Sequence, residues 1–373
     1  MRKAAGLLGA ALLAIIPITG CYDRIDMEKA SLSLVSGIDI DGQHRAVHYT
    51  SIPVFNKAAS RKSLELKVVE ETQRQGRGYF DAYTTGSFNS RKVKAVVVSK
   101  RFTQEIPDWF RYMDVFFRDG RNPITSRMLI FDGPLDQLFN FHSPGEPILP
   151  LMLMGMLEST SGRSESVKTT LQEFHRQMNE EGQTPALPEV AIDQDAKIKG
   201  TALLDHHGRY IDTLSTQETI LMRILQKSAG QGINFSLRLP PELTGATNKE
   251  DWISIATERV KVRIDPSYKD GRFRFAVGVR ISASVVEKLS SLDLDEFNRQ
   301  AEVACAKQIR DKLTNLLDKL KQDKIDPVGF GIYARAYHHR AFEQVKQNWG
   351  EAFGRSDVQV RVSVSFADEG SVK

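Results

Sequence analysis

Two cysteines and two histidine pairs are the side chains in this sequence whose types invite a chemical reading. Cys21 closes a segment with a basic head (Arg2, Lys3), an apolar run from Ala4 to Ile18, and the exit Ile18-Thr19-Gly20. That order is the pattern of an export signal, and a cysteine directly after small residues is how bacterial lipoproteins are recognised. The thiol would receive a diacylglyceryl group, and cleavage before it would leave Cys21 as the new N-terminus. The apolar run is shorter than the ~20 residues that a permanent spanning helix needs. Each buried acyl methylene contributes ~0.8 kcal/mol, and two chains hold a protein far more firmly than one. The expectation is a lipoprotein signal peptide over residues 1–20 and lipidation at Cys21. A plain secretory signal, or an uncleaved anchor with an incidental cysteine, is the bland alternative.

The other candidates promise less. His206-His207 and His338-His339 are adjacent pairs, and neighbours on a strand point to opposite faces. No cysteine or carboxylate sits at a familiar ligand spacing around either pair, so both read as surface or turn histidines and no metal is expected. Cys305 has Ala301 and Ile309 as helical neighbours, which makes it a core residue rather than a nucleophile. No nucleophile elbow or phosphate-cradling glycine loop with its lysine is present. Gly76-Arg77-Gly78 and Gly329-Phe330-Gly331 are too short to be phosphate sites. Glu70-Glu71 and Glu180-Glu181 lie in polar runs and read as solvated faces. An enzyme is not expected, nor is a cofactor. The formal net charge of +4 becomes +2 once Arg2 and Lys3 leave with the signal, and that balance gives no hint of nucleic-acid binding. With one spare cysteine there is no disulfide framework, so the core must supply the stability.

The elements that carry these residues are mixed. With 373 residues and a prior of ~150 per domain, two or three domains fit the exported part. Val35–Ile40 and Ala46–Val54 read as a hairpin, with a strand at Leu64–Val69 and a short helix at Tyr79–Phe88. Arg91–Ser99 is a nearly continuous β-branched run, which suits a strand buried on both faces. A helix over Thr103–Phe117 and a strand over Ser126–Phe131 complete a βαβ framework, and Pro134–Asn140 begins a short helix. Ile148–Gly155 is a buried helix or loop, Ser164–Glu181 an amphipathic helix, and Glu181–Pro188 a linker. Val190–Ile192, Ile198–Leu204 and Tyr210–Leu214 read as a second, small β-rich unit, and Ser215-Thr216-Gln217-Glu218 as a helix start. Phe235–Leu239, Trp252–Ile264 and Arg272–Ser284 alternate as strands, the last two turning at Lys269-Asp270-Gly271. Leu294–Lys321 is one long amphipathic helix, followed by a helix over Ala341–Phe353. Val358, Val360, Val362, Val364 and Phe366 close the chain at a period of two. The fold class is therefore α+β and multi-domain, with mixed sheets and packed helices. The boundaries are 21–188, 189–245 for a small middle domain, and 246–373 for a domain with the long helix and terminal strand.

With those stretches laid out, the chain resembles the Ger(x)C family, the lipoprotein C subunits of spore germinant receptors. CYDRIDMEKASLSLVSGIDID resembles the family's mature N-terminus, RKVKAVVVSKRF its strand, and FFRDGRNPITSRMLIFDG its Arg-Asp turn and following strand. AKIKGTALLDHHGRYIDTLSTQET is similar to its mid-chain hairpin and helix. KIDPVGFGIYARAYHHRAFEQVKQNWGEAF, followed by alternating valines and Gly370, is the most telling block. Tyr22 stands where tryptophan is common, and Pro327 is not required at its place; neither touches a chemical role. The resemblance implies three α+β domains on a lipid tether, placed on the outer face of the spore inner membrane. It implies partnership with two integral membrane subunits in a complex whose binding of a small-molecule germinant (an amino acid, sugar or nucleoside) starts germination. The alternative is a substrate-binding lipoprotein of a transporter. Its two parallel-sheet lobes fit poorly with a C-terminal half made of hairpins, one long helix and a terminal strand. An envelope hydrolase is the third reading, and it would need an acid–base pair in a cleft.

Overall fold

A computed structural model describes residues 30–366 except 57, 143–144, 146, 231, 245–250 and 290–293. The expected signal peptide and Cys21 lie outside the described residues.

The N-terminal sheet is built around two strands that are buried along their whole length. In β2 (Val35–Ile40) and β6 (Ala95–Ser99) every residue is buried, which requires cover on both faces. Antiparallel neighbours β3 (Ala46–Pro53) and β4 (Ser63–Val69) flank β2 on one side. On the other side of β6 come β7 (Arg127–Phe131) and β8 (Ala186–Ile192), both parallel to it. The hairpin of β9 (Ala196–Leu204) and β10 (Tyr210–Ser215) ends the sheet. The order is β10-β9-β8-β7-β6-β2-β3-β4. One face packs Ile38, Val96, Val98 and Met128 beneath Phe102, Trp109 and Phe174. The other packs Val35, Val97 and Leu129 beneath Leu138, Leu153 and Leu157. A small parallel pair, β1 (Ala30–Leu32) with β5 (Ser87–Asn89), lies outside this sheet.

The C-terminal sheet has the order β11-β12-β13-β14. Its frame is the long hairpin of β12 (Trp252–Lys269) and β13 (Arg272–Lys288). Asp270 and Gly271 have φ of 53° and 73°, the paired positive values of a tight hairpin turn. β11 (Asn234–Arg238) joins β12, and β14 (Asp357–Phe366) runs parallel to β13. The helix Leu294–Gln322 covers one face, burying Ala301, Cys305, Ile309, Leu313, Leu316 and Leu320 at helical spacing. That core continues into Leu203, Leu214 and Leu221, so apolar contact joins the two sheets.

The α+β class and the mixed sheets are as expected; several elements are not. The middle segment is no separate β-rich unit. β8 crosses position 188 and hydrogen-bonds both β7 and β9, so residues 186–215 finish the N-terminal sheet and the expected linker is partly strand. Among the described residues the eight-stranded and four-stranded sheets therefore define two larger units, where three domains were expected. The helix expected over Thr103–Phe117 is broken into Lys100–Glu105, a 3₁₀ turn Trp109–Met113 and Asp114–Arg118. Pro107 and the left-handed Asp108 (φ 52°) interrupt it. The helix expected at Tyr79–Phe88 lies earlier, at Gln73–Tyr83, because Thr72 and Gln75 form a capping box. Thr170 starts the shortened helix Leu171–Met178. Phe330–Tyr337 is a further helix, and the one expected over Ala341–Phe353 divides into His339–Glu343 and Trp349–Gly354.

Candidate functional site

The histidine pairs and Cys305 are not brought together. His206 is half-buried in the β9–β10 turn, where burial pulls its pKa below the usual imidazole value. His338 lies between two helices with its Nε2 3.4 Å from the Pro266 carbonyl, and His339 is exposed. Among the described residues no three metal-ligating side chains cluster. Cys305 is fully buried, and burial pushes its thiol up to about 12, so it carries almost no thiolate near neutrality.

Parallel strands bring their carboxyl ends to one edge, where open α/β sheets bind ligands. Here that edge is filled by ion pairs. Asp39, at the end of β2, takes Arg101 Nε and Nη2 at 2.7 Å each, Ser99 Oγ, and the backbone N–H of Leu135 at 2.8 Å. Beside it Asp132 holds Lys199 at 2.6 Å and Lys100 at 3.2 Å. Glu189 is fully buried, 3.5 Å from Lys199 and hydrogen-bonded to Thr213 Oγ1. Burial raises the pKa of Glu189, and Thr213 and the lysines only partly offset it. These groups fasten β2, β6, β7, β8 and β10 to one another.

A polar pocket lies on the same sheet, under the helix Gln73–Tyr83. Ser36, His48 and Thr50 project from β2 and β3 into a cavity of about 50 Å³, walled by Phe80, Phe88 and Phe116. His48 Nε2 meets the Glu70 carbonyl at 3.0 Å, so that nitrogen carries the proton and Nδ1 is an acceptor. Nδ1 has no partner, and burial holds the imidazole down at about 4, hence neutral. Gln73, Arg74, Val115 and Asp119 line both this cavity and an adjoining groove of about 990 Å³. The pocket can accept a hydrogen bond from a water or a small polar molecule. Sequence reading missed it. The available signal was polar His48 and Thr50 alternating on one face of β3.

The block Asp326-Pro327-Val328-Gly329-Phe330-Gly331 is where the two sheets meet. Asp326 is fully buried; its carboxylate accepts from Gly329 N at 2.8 Å, Gly331 N at 2.9 Å and Trp349 Nε1 at 2.9 Å. Burial nevertheless pushes it up to about 6, against the pull of those donors. Its own carbonyl accepts from Thr184 N at 2.9 Å. The Pro327 carbonyl accepts from Gln183 and Gln226 side chains at 2.9 and 2.8 Å. Arg335 forks onto Glu180 at 2.8 and 2.9 Å, so Glu180 is no solvated carboxylate. A Cβ on Gly331 would stand 2.5 Å from Gly182 Cα and 2.7 Å from Gly182 O. Two backbones touch here, and only glycine permits it.

Known proteins match over both units. Residues 23–192 match the family described as spore germination protein N-terminal domain, and residues 199–370 the one described as spore germination B3/GerAC like, C-terminal. Spore germination protein YndF of Bacillus subtilis (strain 168) is 23% identical over 95% of this chain and 83% of its own length. Spore germination protein B3 of the same organism is 19% identical, covering 99% of both chains. The crystal structure of the GerBC protein superposes with a TM-score of 0.58 at 16% identity, covering 92% of this chain and all of that one, a likeness of fold. Both family domains, in order and over nearly the whole chain, establish that it belongs to the Ger(x)C family of spore germination proteins.

Proposed function

We propose that this chain is the membrane-tethered lipoprotein subunit of a nutrient germinant receptor. It acts by assembly with integral membrane subunits rather than by catalysis. The reading places the lipid on Cys21 and the body on the outer face of the spore inner membrane, with a small-molecule germinant bound by the complex.

The observation that carries it is the seam at Asp326. The stretch most characteristic of the family resemblance is here a joint: the Asp326 and Pro327 carbonyls and the contact of Gly331 with Gly182 lock one sheet unit to the other, while the Asp326 carboxylate fixes the stretch itself. Those groups are engaged in internal contacts, which suits a rigid body that presents surfaces and transmits position. The filled carboxyl edge of the N-terminal sheet supports the same reading, since Asp39 and Asp132 hold neighbouring strands.

The test is deletion in the native organism, scored by spore germination against single nutrients. Loss of response to one nutrient class, with normal growth and solute uptake, is the expected result. Normal germination with defective uptake of one solute would sink the proposal in favour of a transporter component.

A further inference from the structure

The helix-free face of the C-terminal sheet is a basic plane. Register places Arg263, Gly278 and Arg361 in one row across β12, β13 and β14, and Lys261, Arg280 and Ser363 in the next. Arg259 and Arg274 extend the plane along β12 and β13, and all six basic side chains are exposed. Arg263 pairs with Asp265 at 2.8 Å and Arg274 with Asp270 at 3.3 Å. Arg259, Lys261, Arg280 and Arg361 make no ion pair among the described residues. Between them stand the small side chains Ala276, Gly278, Ser282, Ser363 and Ser365, and Asp265, Gln359 and Asp357 share the face toward the Arg274 end.

We propose that this face docks on anionic lipid headgroups. Charge complementarity identifies an anionic partner, and the surface between the charges identifies its kind. A protein partner is anchored by aromatic or aliphatic side chains that fill pockets at the centre of the interface. The centre of this face has none: it is glycine, alanine and serine, the exposed Trp252 lies at the end of β12 beside β11, and Phe275, Val277, Val279 and Ile281 point to the opposite side and are buried. What remains is a mainly cationic array on long stems, suited to the diffuse negative potential of a lipid surface, where each basic side chain contributes ~1 kcal/mol. The proposal does not depend on the lipid tether or on the receptor reading, because the face is complete in the chain itself.

The experiment uses the full chain carrying Cys21→Ala, so that no acyl chain contributes. Co-sedimentation with vesicles of phosphatidylglycerol and phosphatidylcholine is compared with vesicles of phosphatidylcholine alone. Preferential binding to the anionic vesicles is expected, with loss in high salt, where the screening length falls to ~3 Å. Lys261→Gln with Arg280→Gln should weaken that binding roughly thirtyfold, at about fivefold per charge. Lys307→Gln with Lys312→Gln removes the same charge from the exposed side of the long helix and should leave it nearly unchanged. Circular dichroism checks that both pairs fold. Equal binding to the two vesicle types, or equal loss in the two variant pairs, overturns the proposal. So does lipid-independent behaviour with germination lost in the Lys261/Arg280 pair, which would assign the face to an acidic protein instead.

Discussion

Gly331→Ala tests the seam most directly. The added Cβ would lie 2.5 Å from Gly182 Cα, 2.7 Å from Gly182 O and 2.8 Å from Trp349 Cε2. Ordinary carbon contacts sit at ~3.5–4.0 Å, so the two backbones must part by about 1 Å. Neither neighbour is the free end of a flexible side chain, so the upper part of the ~1–3 kcal/mol range for overpacking applies. Parting by that much also stretches the Thr184 N to Asp326 O and Gln183 to Pro327 O bonds, both 2.9 Å, beyond bonding range. Each is worth ~1 kcal/mol. The expected loss is about 4 kcal/mol, read as a lowered urea midpoint at unchanged slope. Gly182→Ala strains the same gap, its Cβ meeting Gly331 C and Ile332 N at 2.7 Å. The double variant should therefore cost less than the sum by ~1 kcal/mol or more. Gly278→Ala is the control: nothing lies within 4 Å of its Cβ, so it should be neutral or slightly stabilising. A Gly331→Ala loss below 1 kcal/mol, or strict additivity with Gly182→Ala, would refute the argument that the backbones are held in contact.

Three further outcomes are expected. Asp326 has a carboxyl pKa of about 6 folded, against 3.8 for the unperturbed group, so the native state binds its proton more tightly. Its contribution is fully present below about pH 4 and is lost as pH rises through about 6, a change of about 3 kcal/mol. Asp326→Asn should remove that pH dependence from the denaturation profile, and an unaltered profile would contradict the assignment. Cys305 should resist a thiol reagent at pH 8 in the native protein and react on unfolding; fast native labelling would contradict its burial. Cys21→Ala should leave the body folded and move it from membrane to soluble fractions. Retention on membranes lacking the proposed partner subunits would count against a lipid tether.

What could be read in the chain, and what could not, divides along physical lines. Elements defined by their own residues were legible. Val96, Val97 and Val98 make Ala95–Ser99 a β-branched run that lies buried in the sheet centre, and the valines from Val358 to Val364 alternate along β14. Asp270-Gly271 turns the hairpin it announces. Cys305 sits in the core, where Ala301 and Ile309 placed it. Elements decided by neighbours were not. Pro185 and Pro188 made 181–188 look like a linker. Yet Pro188 sits one residue before β8 meets β7 at Glu189, where a missing N–H costs no bond in that ladder. His48 and Thr50 show which face of β3 they occupy, but not that a pocket lies over them. The basic plane was hidden for a related reason. Its charges alternate with buried valines and isoleucines along three separate strands, so neither a charge run nor the net charge exposes them.

The seam also explains why rigidity here does not rest on its most visible charges. Arg335 and Glu180 are 37% and 15% exposed, and partly solvated pairs of this kind contribute little to stability. The stronger constraint is geometric: a glycine–glycine contact admits one separation, and three carbonyl hydrogen bonds fix the orientation around it. The buried Asp326 carboxylate adds a cost near neutrality that its three donors only partly offset. It is tolerated because those donors need an acceptor that no apolar residue could supply. Contacts of this kind oppose bending at the seam. Displacement of the C-terminal sheet by a surface it rests on would carry the N-terminal sheet, with its pocket and groove, through the same movement. That is the property a subunit needs if it works by passing position between partners rather than by turning over a substrate.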